Sequence, residues 1–272
     1  MIALVALLIL LQLIFMLPIK DKRERQRGFP WATVVLIGVN VLVHGLVFLL
    51  VLQRQADEPY EDVQFRLLYP LMLIPQLIID GRGLGAFSVV SSGFLHGDLQ
   101  HLLGNMFLLW FFGRKVEDAT GPFRFGLFYL LCLFGSSLVS VLVNVSLSSL
   151  NAQTPALGAS GAVSGVMAAY LFLYSDERIL TLFSVWVAPV IPIPIPGGCF
   201  IPTPVPVWLP AWVFIIFQFL RDAVLGQFIQ EITALSGPIS YGIGVFAHLG
   251  GAAAGMLFIF IFMHPDVFAQ RR

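Results

Sequence analysis

The sequence predicts an all-α membrane protein that crosses the bilayer several times, and three observations support this fold class. Of the 272 residues, 58% are apolar and only 11% are charged, whereas roughly 25% of the residues in a soluble domain are charged. The apolar residues fall in runs of about 17 to 25, the length that a helix needs to cross roughly 30 Å of hydrocarbon. Polar and charged residues collect in the breaks between these runs. A water-soluble core is therefore not expected.

The apolar runs predict seven membrane spans, which cover residues 2–19, 31–52, 97–113, 123–143, 157–174, 209–226 and 241–263. The first run has no positively charged start and no A-x-A cleavage site, so we expect a retained helix rather than a removed signal peptide. The predicted domains are an extra helix with a basic linker (1–28), a membrane core (29–268) and a short cytoplasmic tail (269–272).

Lysine and arginine determine the predicted orientation, because they are enriched in short loops on the cytoplasmic side. With the basic segment 20–27 inside, eleven of the fifteen basic residues lie inside. The four that lie outside are Arg54, Arg66, Arg82 and Arg221. This orientation places loops 53–95, 144–156 and 227–240 outside and loop 175–208 inside.

The inner loop is rich in proline. From Pro189 to Pro206, proline alternates with isoleucine or valine around a pair of glycines. Proline removes backbone donors and clashes with the preceding helical turn, so this stretch cannot be an α-helix. We expect an extended or hairpin-like cytoplasmic segment near the membrane surface.

Several function classes are excluded by what the chain lacks. Its net charge is zero, so no overall field attracts nucleic acid. No G-x-x-x-x-G-K-[ST] loop is present to bind a nucleotide. The two cysteines, Cys132 and Cys199, form neither a disulfide framework nor a metal-ligand cluster. We expect no nucleic acid, nucleotide or metal partner.

Polar residues inside three of the spans indicate where the chemistry takes place, because each such residue costs a few kcal/mol in lipid unless it is paired or functional. The three groups are Gly158-Ala159-Ser160-Gly161, His96 with His101-x-x-x-Asn105, and Ala247-His248-Leu249-Gly250-Gly251. Each of these helices runs from outside to inside in the predicted orientation. All three groups therefore lie in the outer third of the membrane and could converge.

Such a group could perform acyl transfer. Neutral imidazole is suited to take the proton from a serine hydroxyl near pH 7, so His248 is the candidate base for Ser160. The oxyanion needs donors, which Asn105, His101 and the backbone N–H of Ser160 could supply. No carboxylate is near His248 in the sequence, so a dyad is predicted.

Glycine spacing favours close approach of two of these helices. Gly161-x-x-x-Gly165 and Gly251-x-x-x-Gly255 are small-residue faces of the kind that allow helix backbones to meet. Taken alone, such spacing is common in membrane helices.

Structural roles explain other polar residues more simply. A serine between glycines at a helix start is often only an N-cap or packing residue. His96 is expected to cap or anchor the helix entrance, and His44 and Asn40 to make structural polar contacts. The charged group Arg114, Lys115, Glu117 and Asp118 is expected to be a solvated cytoplasmic helix end.

The sequence resembles the rhomboid intramembrane proteases from Pro30 to about Met263. The matching stretches are FPWATVVLIGVNVLV, SSGFLHGDLQHLLGNMFLLWFFGRKVED, GASGAVSG and FAHLGGAAAG, in the family's order. The resemblance implies a six-helix core, with Ser160 as nucleophile, His248 as base, and His101, Asn105 and the Ser160 amide as oxyanion stabilisers. Gly158, Gly161, Gly251 and Gly255 would shape the site.

The resemblance also implies the substrate and the environment. Peptide bonds in or beside transmembrane segments of client proteins would be hydrolysed within the lipid bilayer, without a cofactor. We expect a multi-pass protein of a bacterial plasma (inner) membrane. Two features depart from the family pattern: Ser164 stands where an aromatic often follows the nucleophile, and Ala86-Phe87-Ser88 lacks a tryptophan-arginine pair.

Two other functions remain as alternatives. The rhomboid fold also serves inactive relatives that bind membrane clients without cutting them, although these usually lack the serine or the histidine. A transporter would call for broken helices and charged groups at mid-membrane. Here the polar groups cluster near one face, and no acidic residue is expected in mid-span.

Overall fold

The computed structural model describes residues 16–22, 28–54, 58–147, 149–187, 201–236 and 244–265. The α-helices, in chain order, are α1 (Trp31–Arg54), α2 (Tyr60–Leu68), α3 (Pro75–Ile79), α4 (Ala86–Ser91), α5 (Leu99–Leu108), α6 (Arg114–Thr120), α7 (Pro122–Leu147), α8 (Ser149–Gln153), α9 (Ser160–Leu173), α10 (Ala211–Ser236) and α11 (Val245–Phe262). The strands are β1 (Met16–Asp21), β2 (Arg178–Val187) and β3 (Ile201–Pro210). The chain forms two compact units, one of residues 1–25 with 174–225 and the other of residues 26–173 with 226–272.

Three of the described helices, α1, α7 and α11, are long and apolar enough to cross a membrane. They confirm the predicted spans 31–52, 123–143 and 241–263. Large apolar side chains along α1 are exposed, including Leu42, Leu46 and Leu49. Exposure of this kind is expected of a helix whose outer surface meets lipid rather than water.

The remaining predicted spans agree with the structure less closely at their ends. Helix α5 continues through a π-helical turn, Leu109–Gly113, into α6. Helix α9 has 14 residues and begins at Ser160, three residues after the predicted start. Helix α10 continues ten residues past the predicted end, because no proline interrupts the stretch up to Ser236.

The length of α10 corrects two expectations. Arg221 and Asp222 lie near the middle of the helix, whereas Arg221 was counted among the basic residues outside and no acidic residue was expected in mid-span. Arg221 Nη2 lies 3.0 Å from Asp222 Oδ1. An ion pair between neighbouring residues lowers the cost of holding both charges in an apolar helix.

The outer loop is folded rather than extended. Leu73 and Ala156 exchange two backbone hydrogen bonds of 2.9 and 2.8 Å, which join this loop to the chain that leads into α9. Within the loop, Leu68, Met72 and Leu95 form a buried apolar cluster. The loop therefore supports the segment just before Ser160.

The charged group in α6, Arg114, Lys115, Glu117 and Asp118, was expected to be solvated, and this expectation is wrong for two of its members. Lys115 and Glu117 are each 3% exposed. The Glu117 carboxylate accepts hydrogen bonds from the backbone N–H groups of Ala32 and Thr33, at 2.9 and 2.8 Å, and from the Thr33 hydroxyl at 2.7 Å. The first turn of a helix has free N–H donors and favours a negative charge, so Glu117 caps α1 from 84 residues away.

A three-stranded antiparallel sheet in the order β1-β2-β3 is an addition to the predicted all-α class. Pairing of β2 with β3 confirms the predicted hairpin-like inner loop in its described part, while residues 188–200 lie outside the described residues. Strand β1 contains residues 16–19, which were assigned to the first span. Pro18 disfavours a helix at this point, and residues 1–15 lie outside the described residues.

Candidate active site

Three helices of one unit bring their N-terminal ends to the candidate site. Ser160 is the first residue of α9, His101 is the third residue of α5, and His248 is the fourth residue of α11. A common depth was expected from the predicted orientation, and in the fold all three side chains stand at the same end of their helices. Helix starts also supply unpaired backbone N–H groups, which favour a developing negative charge.

Ser160 and His248 are in direct contact. The distance between Ser160 Oγ and His248 Nε2 is 2.8 Å. His248 is 8% exposed, while Ser160 is partly exposed. If the hydroxyl donates to Nε2, the neutral imidazole carries its own proton on Nδ1, and this is the tautomer that can accept the serine proton. The arrangement has the geometry of a nucleophile and its general base.

His101 lies near the same serine, against Gly158. A β-carbon placed on Gly158 would be 2.8 Å from His101 Cε1 and 3.6 Å from Ser160 Oγ. Gly158 also has φ of +122°, a conformation that other residues rarely adopt. Its N–H donates to the carbonyl of Ser92 at 2.9 Å. Only glycine therefore lets the chain turn here while the imidazole approaches the serine.

Asn105 lies one turn below His101 on α5 and is 6% exposed. Its side-chain amide donates to the carbonyl of His101 at 3.1 Å. The structure thus places Asn105 next to the site, but its hydrogen bond is to its own helix and not to Ser160. The oxyanion roles of Asn105 and His101 stay predictions.

His96 packs against His101. The two rings meet edge to face with their centroids 5.1 Å apart, and His96 is 1% exposed. Burial, followed by the nearby His101, lowers the pKa of His96 to about 3, so this ring is neutral at pH 7. Such a position suits the structural role that the sequence analysis preferred for it.

Glycines bring α9 and α11 into backbone contact. A β-carbon on Gly251 would lie 1.9 Å from the Gly161 carbonyl oxygen, and one on Gly255 would lie 2.1 Å from the Gly165 carbonyl oxygen. Gly161 is the neighbour of Ser160, and Gly251 is one turn after His248. At this backbone contact neither helix has room for a side chain. The contact therefore sets the distance between Ser160 and His248.

Sequence reasoning missed the part played by α7. A β-carbon added to Gly161 would lie 1.9 Å from Ser136 Oγ of α7, and a β-carbon added to Gly165 would lie 2.6 Å from Cys132 Sγ of α7. Their i, i+4 spacing of small residues was a usable signal. Asp98 was also missed: its carboxylate accepts the His101 N–H at 2.7 Å and caps α5, a role typical of aspartate before an apolar helix.

Comparison with known proteins identifies the family. The rhomboid domain model matches residues 85–265. Rhomboid protein 1, mitochondrial, of Saccharomyces cerevisiae is 28% identical over 223 residues, which cover 82% of this chain and 51% of the yeast protein. Rhomboid-like protein 11, chloroplastic, of Arabidopsis thaliana is 28% identical over 183 residues, or 64% of this chain and 52% of the plant protein.

A shorter match is found with presenilin-associated rhomboid-like protein, mitochondrial, of Bos taurus, 33% identical over 92 residues, 34% of this chain and 24% of the bovine protein. The chain spans about half the length of the yeast and plant relatives. The rhomboid domain match covers well over half of the chain and includes α5, α9 and α11 with Ser160 and His248. This integral membrane protein belongs to the rhomboid family.

Proposed function

We propose that the chain is an intramembrane serine endopeptidase that hydrolyses peptide bonds in or near transmembrane segments of client membrane proteins. The observation that carries the proposal is the 2.8 Å contact between Ser160 Oγ and His248 Nε2. Membership of the rhomboid family supports either intramembrane proteolysis or a rhomboid-like function without cleavage. The intact pair favours proteolysis, because a binding protein would have no need of a serine aligned with an imidazole.

The first chemical step would be attack by Ser160 on a client carbonyl. His248 Nε2 accepts the proton as the Oγ–carbon bond forms, so an imidazolium stands beside a tetrahedral intermediate. No carboxylate is required for this step, although without one the imidazolium is stabilised less than in a triad.

The negative charge that develops on the client oxygen needs donors in fixed positions. The Ser160 N–H at the start of α9 is one candidate, and it gains from the positive end of the helix dipole. His101 and Asn105 are the side-chain candidates on the neighbouring α5. For Asn105, the amide would have to present an N–H that is not engaged with the His101 carbonyl.

Collapse of the intermediate would transfer the proton from His248 to the departing amine and leave an acyl ester on Ser160. Water, deprotonated by the same imidazole, would then hydrolyse the ester and restore the hydroxyl. Both halves of the reaction use one base and one set of donors. Water must therefore reach a site on membrane helices, and the partial exposure of Ser160 at a helix end supports such access.

The compartment is a separate proposal. A bacterial plasma membrane, with the basic segment 20–27 inside, fits the lysine and arginine distribution. The mitochondrial and chloroplastic names of the relatives give a bacterial compartment no support. Reporter fusions in loop 53–95 and at the C-terminus would test the orientation, and a C-terminus on the outside would contradict it.

The direct test of the activity is to incubate the purified chain with a panel of transmembrane reporter substrates and with a fluorophosphonate, which labels activated serines. Ser160→Ala should abolish both cleavage and labelling. Ser164→Ala is the matched control, because Ser164 lies one turn further along the same helix and is buried, whereas Ser160 is partly exposed; it should keep both. Client binding by the unmodified chain without cleavage of any reporter would instead support the non-enzymatic rhomboid-like function.

A further inference from the structure

The three-stranded sheet has one outward face that combines apolar and basic side chains. Pairing of the strands places Leu17, Leu182 and Pro206 in one row and Lys20, Leu180 and Trp208 in the next. Residues in paired positions point to the same side of a sheet. We call this set of six residues, with Arg178 and with Lys22, whose ammonium lies over the Trp208 ring, the basic face.

The two faces of the sheet differ in burial. On the opposite face, Met16, Pro18, Ile179 and Thr181 of β1 and β2 are buried, whereas Val205 and Val207 of β3 are 39% and 37% exposed. On the basic face, Lys20, Arg178 and Trp208 are exposed and the leucines are half-buried. The opposite face is thus covered along β1 and β2 but open along β3, whereas the basic face is at least partly open along all three strands.

Charge on the basic face is of one sign and lies at one end. Lys20 pairs with Leu180, Arg178 pairs with Pro210, and the Lys22 ammonium lies 5.6 Å from the centre of the Trp208 ring. Of the acidic side chains near this end of the sheet, Asp21 and Glu177 are buried, and Asp176 is exposed in the turn before β2.

This basic end is also the end that adjoins a predicted membrane span. Strand β3 ends at Pro210, α10 begins at Ala211, and the Ala211 N–H donates to the Glu177 carbonyl at 2.9 Å. The first ten residues of α10 contain no charge. Hydrocarbon should therefore begin at about Ala211.

Two tryptophans mark the same level. Trp208 and Trp212 are 38% and 51% exposed and lie on either side of the junction between β3 and α10. Tryptophan is enriched where lipid headgroups meet water. Two residues of a strand span roughly 7 Å, so Trp208, Lys20 and Arg178 lie within the thickness of a headgroup layer from the junction.

From these placements we infer that the basic face docks on the cytoplasmic leaflet and binds anionic phospholipid. The leucines and Trp208 enter the boundary between headgroups and acyl chains, while the three basic side chains contact lipid phosphates. Each basic side chain should raise the affinity for an anionic surface about fivefold, so the three together should favour an anionic over a neutral surface by about a hundredfold. The inference is independent of Ser160 and His248 and does not depend on catalysis.

The test places the full chain in nanodiscs of either phosphatidylglycerol or phosphatidylcholine. A nitroxide is attached at Leu182→Cys, on the basic face, or at Val207→Cys, an exposed position of the opposite face, in a Cys199→Ser background. Collision with oxygen reports contact with lipid, and collision with a neutral water-soluble nickel chelate reports contact with water.

The Leu182 label should favour oxygen in phosphatidylglycerol and nickel in phosphatidylcholine, and the Val207 label should favour nickel in both. Raising the salt concentration should return the Leu182 label to nickel, because exposed charges are screened. In phosphatidylglycerol, the triple variant Lys20→Gln/Lys22→Gln/Arg178→Gln should likewise make the Leu182 label accessible to nickel. The matched control is Arg54→Gln/Arg66→Gln/Arg82→Gln, which removes three exposed arginines of the outer loop and should change nothing.

Two outcomes would overturn the inference. Nickel access at the Leu182 label that is the same in both lipids would show that the basic face stays in water. Protection in both lipids, with a dipolar distance between labels on two chains, would show that a second copy covers this face instead.

Discussion

Replacement of Gly251 by alanine tests whether backbone contact between α9 and α11 positions the Ser160–His248 pair. The added β-carbon would lie 1.9 Å from the Gly161 carbonyl oxygen. An ordinary contact requires about 3.5 Å, so the helices must separate by roughly 1.5 Å. Because the obstructing atom belongs to backbone, no side chain can rotate away to relieve the clash.

The separation acts directly on the reacting atoms, since Gly161 follows Ser160 and Gly251 is one turn after His248. If the full shift were transmitted, the distance of 2.8 Å between Oγ and Nε2 would rise to about 4 Å, beyond hydrogen-bond range. A misplacement of about 1 Å can cost on the order of 10²-fold in rate. We expect Gly251→Ala to lower kcat by at least that factor and stability by about 1 to 3 kcal/mol.

Two variants complete the design. Gly255→Ala meets the Gly165 carbonyl oxygen at 2.1 Å but lies two turns from His248, so a similar loss of stability with a smaller loss of turnover is expected. Gly126→Ala on α7 meets nothing within 4 Å and should be as active as the parent. Turnover is measured with a fluorogenic transmembrane reporter, and stability by thermal unfolding followed by circular dichroism. A folded Gly251→Ala protein with unchanged turnover would refute the reasoning.

Further predictions concern the donors, the dyad, the helix cap and the client. Asn105→Ala should lower kcat by about 10² to 10³ with little change in KM, as for loss of one oxyanion donor; unchanged kcat with a raised KM would make it a substrate contact. Ser160→Ala and His248→Ala should each abolish turnover, and the double variant should be no slower than either, because nucleophile and base act as a unit; a further drop would count against the dyad. Glu117→Gln should lower the free energy of unfolding by about 2 to 4 kcal/mol, since it weakens three hydrogen bonds to a buried carboxylate, whereas Glu58→Gln on the exposed outer loop should have almost no effect; equal effects would contradict the capping role. Clients should be cut near the outer boundary of their helix, where glycine (about 1 kcal/mol) or proline (about 3) weakens it, and replacing those residues by leucine should slow cleavage; cuts mapped by mass spectrometry to the cytoplasmic end would contradict this.

The position and type of the principal helices could be predicted from sequence because a bilayer imposes a simple rule. Backbone polar groups must be satisfied within each span, so any long apolar run becomes a helix. The runs at 31–52, 123–143 and 241–263 obey this rule and were located within a few residues. The ends of α9 and α10 were less predictable, since local turn geometry and polar helix-forming residues decide them rather than hydropathy.

Proximity of Ser160, His101 and His248 was inferable from chain direction, because each was predicted to lie near the outer end of a span that runs inward. Their contact distances were not inferable. These depend on which glycine faces which backbone carbonyl, and three-dimensional packing alone pairs Gly161 with Gly251 and Gly158 with His101.

By itself, the sequence determined that the chain is a polytopic helical membrane protein, and it predicted an orientation and the residues suited to acyl transfer, since each of these follows from composition and order along the chain. Tertiary structure alone decided what depends on partners far apart in sequence. Glu117 appeared to be a solvated charge until the start of α1 was placed against it. Strand β1 appeared to be the end of a membrane helix until β2 supplied the hydrogen bonds that a strand requires. In both cases a local pattern was compatible with two environments, and long-range contacts selected one.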